Sequence, residues 1–139
     1  MAQSIAHIYL HIIFSTKERT PYLDPKIEPN LYQYIKTICT DLDSPLIAIG
    51  GNVDHIHLLC SLSKSITLSS LIKTIKSKSS HWIKRQDQSF QNFYWQRGYA
   101  AFSVSPYNYQ KLTLYIKNQK EHHKDYSLQE ELKQFNLKL

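Results

Sequence analysis

The chain has 139 residues, 42% of them hydrophobic and 20% charged, which suits one ordinary soluble domain with a normal core. No apolar run reaches the roughly 18 residues that a membrane span needs. The start, MAQSIAHIYLHIIF, lacks the basic segment and the small-residue cleavage site of a signal peptide. The expectation is therefore a single domain over residues 1–139, in the cytoplasm and away from membranes.

The net charge is +6, and it is concentrated. Between Ser61 and Ala100, seven lysines and arginines face Asp87 alone, while the rest of the chain balances. Such a block suits a surface that meets a polyanion, or a merely solvated lysine-rich helix face.

In chain order, Ile5 to Ser15 (IAHIYLHIIFS) alternates and is rich in β-branched and aromatic residues, which predicts a strand. Leu31, Tyr34, Ile35, Ile38 and Leu42 recur at helical spacing. Leu46 to Ile49 predicts a short strand, and Gly50-Gly51-Asn52 reads as turn chemistry. A third strand follows around VDHIHLL, closing a hairpin. Leu68, Leu71, Ile72, Ile75, Trp82 and Ile83 form the stripe of a second helix, with Thr67 as N-cap. Tyr94 to Val104 (YWQRGYAAFSV) predicts a fourth strand. Ser105-Pro106 reads as the start of a third helix that carries Leu112, Tyr115, Ile116 and Gln119 on one stripe and runs to His122-His123. Leu128 to Phe135 is an amphipathic tail. The order β-α-β-β-α-β with additional C-terminal helices predicts an α+β, ferredoxin-like sandwich. Cys39 and Cys60 lack CxxC spacing and read as reduced core thiols.

His55 and His57 stand two residues apart in a strand, so they share a face. Paired imidazoles can grip a metal; they can also be two ordinary surface histidines. Tyr115 and Gln119 are one helical turn apart. If that helix packs beside the histidine strand, His55, His57 and Gln119 could hold a divalent metal that orients a phosphoryl group. Tyr115 would be the nucleophile. At an ordinary phenol pKa near 10, only about 0.1% of it is ionised at neutrality, so the site must assist. Asp54 could orient an imidazole from behind, or be a turn residue. Lys73, Lys76, Lys84, Arg85 and Arg97 are the candidate contacts to a nucleic-acid backbone, and to DNA under the resemblance described below. Trp82, Trp95, Tyr99 and Phe102 could stack unpaired bases, although Trp82 equally suits a core.

Five segments, FSTKERTPYL, GGNVDHIHLL, LSSLIKTIKSKSSHWI, WQRGYAAFSVS and YIKNQKEHH, together resemble the small single-tyrosine HUH transposases of bacterial and archaeal insertion sequences. The resemblance is to the TnpA-like, IS-two-hundred-like type, with REP-associated tyrosine transposases as relatives. It covers nearly the whole chain. The HUH motif is His55-Ile56-His57. The resemblance implies that His55, His57 and Gln119 bind Mg²⁺ or Mn²⁺ and that Tyr115 is the nucleophile. It implies cleavage and rejoining of hairpin-bearing single-stranded DNA through a 5′-phosphotyrosine, without ATP or another nucleotide cofactor. It implies a homodimer with joined sheets, in which Tyr115 of one subunit could complete the site of the other. His122 and His123 match a frequent family feature without an assigned role. Ala100 stands where the family often has glycine.

Two other readings stay open. A domesticated copy or a rolling-circle-type nickase would carry the same site. A non-catalytic RNA-binding module is suggested by Arg97 to Val104, which begins like an RRM signature but has Ala101 where an aromatic residue belongs.

Overall fold

The structure is a computed structural model that describes residues 3–122 and 127–138. Strand β1 (Tyr9–Ser15) is almost wholly apolar and lies inside the sheet. It pairs antiparallel with β3 (His55–Ser61) on one side and β4 (Ala100–Val104) on the other, and β2 (Leu46–Asn52) pairs antiparallel with β3. The sheet order is β2-β3-β1-β4. Helix α1 (Glu28–Asp41) connects β1 to β2, and α2 (Leu68–Lys84) connects β3 to β4. Helices α3 (Tyr109–Lys117), α4 (Gln119–His122) and α5 (Leu128–Lys138) follow. Among the described residues, no helix is long and apolar enough to cross a membrane.

Alternation along the strands gives the sheet two different faces. On one, Leu10, Ile12 and Phe14 of β1 and Ile56, Leu58 and Cys60 of β3 pack against Leu31, Ile35 and Ile38 of α1 and Leu71, Ile72 and Ile75 of α2. Burying each such side chain contributes roughly 1.5–3 kcal/mol. Thr67 caps α2 by accepting from the Ser70 N–H at 3.1 Å. Cys39 and Cys60 are free and buried in this layer; burial pushes their thiols up to about 12 and about 11.

The other face carries His11, His55 and His57 beside Ala48 and Leu59. Ile116 of α3 is buried on Ala48 and Leu59, with Leu112 and Tyr115 packed alongside. This docking explains Gly50. A Cβ on Gly50 would stand 1.9 Å from the Ile116 carbonyl oxygen, so the helix backbone rests on the bare strand.

Several element boundaries differ from the sequence reading. The first strand begins at Tyr9 rather than at Ile5. Gly50, Gly51 and Asn52 belong to β2, and the hairpin turns at Val53-Asp54; the glycines serve close packing rather than the turn. The fourth strand is confined to Ala100–Val104. Before it, Gln96 donates its N–H to Ser15 O at 2.8 Å, and Gly98 at φ 86° turns the chain outward. Ser105-Pro106 forms a turn, with Asn108 N–H donating to Ser105 O at 3.1 Å, and α3 begins at Tyr109. The helical run expected to reach His122-His123 breaks at Asn118 (φ −100°, ψ 25°), so Gln119 opens the separate α4. His123 lies outside the described residues.

Candidate active site

β3 presents His55 and His57 to the face that α3 covers. Each ring is held from behind. The Nδ1 of His55 lies 2.7 Å from Asp54 Oδ1, and this hydrogen bond, more than any other effect, holds the Asp54 carboxyl below the usual carboxylate range. Asp54 sits in the hairpin turn. The segment after β1 fixes that turn: Thr16 N–H donates to Asp54 O at 2.8 Å, and Leu23 N–H donates to Val53 O at 2.9 Å. The FSTKERTPYL segment thus anchors the site from outside it.

The Nδ1 of His57 lies 2.8 Å from the Nε2 of His11, and the two rings stack with centroids 5.1 Å apart. On β1, Ile13 is directly opposite His57, so His11 is the diagonal neighbour on the same face. Burial, and then the nearby His57, push His11 down to about 3. His11 is therefore neutral and keeps one ring nitrogen as an acceptor.

Both rings then aim Nε2 at the same region. His55 Nε2 is 3.3 Å from Gln119 Oε1, while Gln119 Nε2 donates back to Tyr115 O at 3.4 Å. His57 Nε2 is 2.9 Å from Glu131 Oε1, on α5. The donor atoms of His55, His57 and Glu131 all lie within 4.8 Å of one another. Asp54 Oδ1 accepts at His55 Nδ1, which leaves Nε2 as the inward atom beside the Gln119 carbonyl oxygen. Imidazole nitrogens, a carboxamide oxygen and a carboxylate are all metal-ligand types, so these residues fit a divalent metal.

Tyr115 stands against this cluster in its own chain. Its ring centroid is 6.1 Å from that of His57, and its hydroxyl donates to Glu131 Oε2. The structure thus brings together Tyr115, His55, His57, Gln119 and Asp54 from the sequence reading. It adds His11 and Glu131, which that reading missed. His55, His57 and Glu131 have no exposed surface and Gln119 has 1%.

The basic candidates lie elsewhere. Lys73, Lys76, Lys84 and Arg85 belong to α2 and its C-terminal end, on the opposite side of the sheet, while Arg97 lines a cleft with Leu128 and Leu132 of α5. Lys73, Arg85 and Arg97 are exposed. Lys76 donates to Gln96 O at 2.8 Å and Gly98 O at 2.6 Å, which holds the loop leading into β4. Lys84 places its ammonium 4.1 Å from the ring centroid of Tyr94. Of the proposed stacking residues, Trp95 is a core residue whose indole donates to Ser79 Oγ at 2.9 Å, Trp82 stacks on Tyr34, and Phe102 packs near His11. Tyr99 is exposed. Ala101 packs toward the α1–α2 core, and the RNA-binding reading finds no stacking aromatic there.

Residues 4–119 match the sequence model of the family described as Transposase IS200 like. The chain belongs to this family. Two solved structures share its fold. One is a candidate transposase from Deinococcus radiodurans R1, at TM-score 0.66 and 21% identity over 86% of this chain and 98% of that one. The other is a REP-associated tyrosine transposase bound to a REP hairpin, at TM-score 0.57 and 17% identity over 84% of this chain and 70% of that one. Against curated proteins the chain gives no match. In this IS200-like transposase, His55, His57, Tyr115 and Gln119 lie within the matched segment, whereas Glu131 lies beyond it.

Proposed function

We propose that this IS200-like transposase cuts and rejoins single-stranded DNA through Tyr115. The observation that carries the reading is convergence. Tyr115 and Gln119 meet His55 and His57 across some 60 positions of sequence, in one buried cluster. Each position has a defined job. Asp54 and His11 fix the imidazoles. Gly50 lets α3 approach closely enough for Tyr115 to reach them. His55, His57 and Gln119 would hold Mg²⁺ or Mn²⁺, which when bound polarises the scissile phosphoryl group and orients it for in-line attack.

In the reaction, Tyr115 Oη forms a bond to phosphorus as the bond from phosphorus to the 3′-oxygen breaks. The phenol loses its proton and the leaving 3′-oxygen gains one. The product is a 5′-phosphotyrosine and a free 3′-hydroxyl. Attack by a 3′-hydroxyl on the phosphotyrosine reverses the exchange, so no ATP is required. The substrate is a single strand with hairpins, in keeping with the REP hairpin held by the similar transposase. The sheet order suits a ferredoxin-like unit over residues 1–139, working as a homodimer with joined sheets in the cytoplasm.

The test is a denaturing gel of the protein with a labelled single-stranded hairpin from its own gene flanks, in Mn²⁺ or EDTA. The expected result is a band shifted by one protein mass, present only with Mn²⁺ and absent in Tyr115→Phe. No adduct from folded protein with the correct flanks would overturn the reading. A nickase or domesticated copy would form the same adduct and lack inverted-repeat hairpins beside its gene.

A further inference from the structure

We propose that Glu131 is a protein ligand of the same ion in the DNA-free protein, so that α5 forms part of the metal centre. The inference rests on the proposed metal-dependent reading and extends it to a helix outside the family-matched segment.

The geometry of donor atoms is the first argument. Neighbouring ligands around an ion with bonds of about 2.0–2.2 Å lie roughly 2.9–3.5 Å apart, depending on coordination geometry. His57 Nε2 and Glu131 Oε1 are 2.9 Å apart, and His55 Nε2 and Gln119 Oε1 are 3.3 Å apart. The two ring nitrogens that face inward do so because Asp54 and His11 occupy the other two. Two imidazole nitrogens and a carboxylate oxygen therefore lie within 4.8 Å of one another, and the carboxamide oxygen of Gln119 joins them beside His55.

Burial is the second argument. Glu131 has no exposed surface, and a buried carboxylate is costly without a compensating charge. A divalent ion would add its charge to what His57 offers this carboxylate at 2.9 Å. The placement of the helix is the third. Leu128 and Leu132 line a cleft with Ile13, Phe14 and Tyr99, and Leu128 and Glu131 are both buried, so this face of α5 is turned inward. The remaining carboxylate oxygen accepts from the Tyr115 hydroxyl, which ties the nucleophile to the same carboxylate. A donor set of two nitrogens and two oxygens suits Mn²⁺ better than Mg²⁺, whose preference is for oxygen.

The experiment is a calorimetric titration of the metal-stripped, DNA-free full chain with Mn²⁺, paired with the Mn²⁺-induced rise in Tm. The chains compared are wild type, Glu131→Gln, Glu131→Ala, His57→Ala and Glu130→Ala, the last an exposed position on the same helix. The expected result is at least a ten-fold weaker Mn²⁺ affinity and a smaller Tm rise for both Glu131 variants, with Glu130→Ala unchanged. Mn²⁺ affinity equal to or tighter than wild type in Glu131→Gln would overturn the proposal, since Glu131 would then stand beside the ion or in its place. Because Gln matches Glu in size, that variant decides the matter if Glu131→Ala fails to fold. Mn²⁺ affinity within two-fold of wild type in both Glu131 variants, with binding lost in His57→Ala, would overturn the ligand role of Glu131 and leave the histidine site intact. No Mn²⁺ binding by folded wild type would overturn both readings.

Discussion

At the scale of single residues, the site depends on what stands behind each ligand. Asp54 takes the Nδ1 hydrogen of His55 at 2.7 Å and so selects the tautomer whose Nε2 faces Gln119. Replacing Asp54 by Asn offers an amide that can donate as well as accept, and the tautomer is no longer fixed. Loss of such a supporting group typically costs about 10–100-fold in metal affinity. We expect Asp54→Asn to weaken Mn²⁺ binding by at least about ten-fold, measured by calorimetry, while the protein keeps its wild-type far-UV circular dichroism. An unchanged affinity would reduce Asp54 to a residue of the hairpin turn. His11 supports His57 in the same way, but its role was hard to read in advance. Alternation alone puts it on one face of β1; only the β1–β3 register, with Ile13 opposite His57, makes it a neighbour. Glu131 left a clearer mark. In the tail helix it stands within the stripe Leu128, Leu132, Phe135, and a carboxylate on an apolar face calls for a partner in the interior.

At the scale of elements, periodicity sufficed for the sheet and for the two helices that cover one face. The apolar positions of α1 and α2 recur at helical spacing, and those of β1 and β3 alternate, because each element buries one side. The errors fell where a residue serves a distant contact. Gly50-Gly51 after an apolar run has the composition of a turn, yet Gly50 is a strand residue whose missing side chain admits α3. Its consequence is testable. A methyl group at Gly50 would sit 1.9 Å from the Ile116 carbonyl oxygen, so α3 must move by an ångström or so. Overpacking of this kind costs about 1–3 kcal/mol. A displacement of that size also takes Tyr115 and Gln119, which flank Ile116, out of alignment, which can lower a rate by about 100-fold. Gly50→Ala should therefore lose both Tm and single-turnover adduct formation, with the rate affected far more than the remaining folded fraction explains. Adduct formation within two-fold of wild type would show that α3 is positioned by something other than this contact.

At the scale of the whole molecule, the chemistry and the basic side chains of α2 lie on opposite sides of the sheet. The loop from Tyr94 to Tyr99 joins them: Lys76 and Lys84 of α2 hold it at one end, and at the other Tyr99 lines a cleft with the α5 leucines. A phosphodiester cannot reach histidines that have no exposed surface. Under the proposed function, DNA must displace α5 before Tyr115 can attack, and pinning α5 in place should block the reaction. Tyr99 and Leu132 line the same cleft, so Tyr99→Cys with Leu132→Cys gives two sites for a short bismaleimide. The native thiols will not compete: Cys39 and Cys60 are buried and pushed up to about 12 and about 11, which leaves almost no thiolate near neutral pH. The cross-linked protein should bind Mn²⁺ as the uncross-linked double variant does, yet form no covalent adduct with the hairpin strand. Each single-cysteine variant treated with the same reagent should keep its activity. Adduct formation at an undiminished rate after complete cross-linking would show that DNA enters by a path that leaves α5 seated.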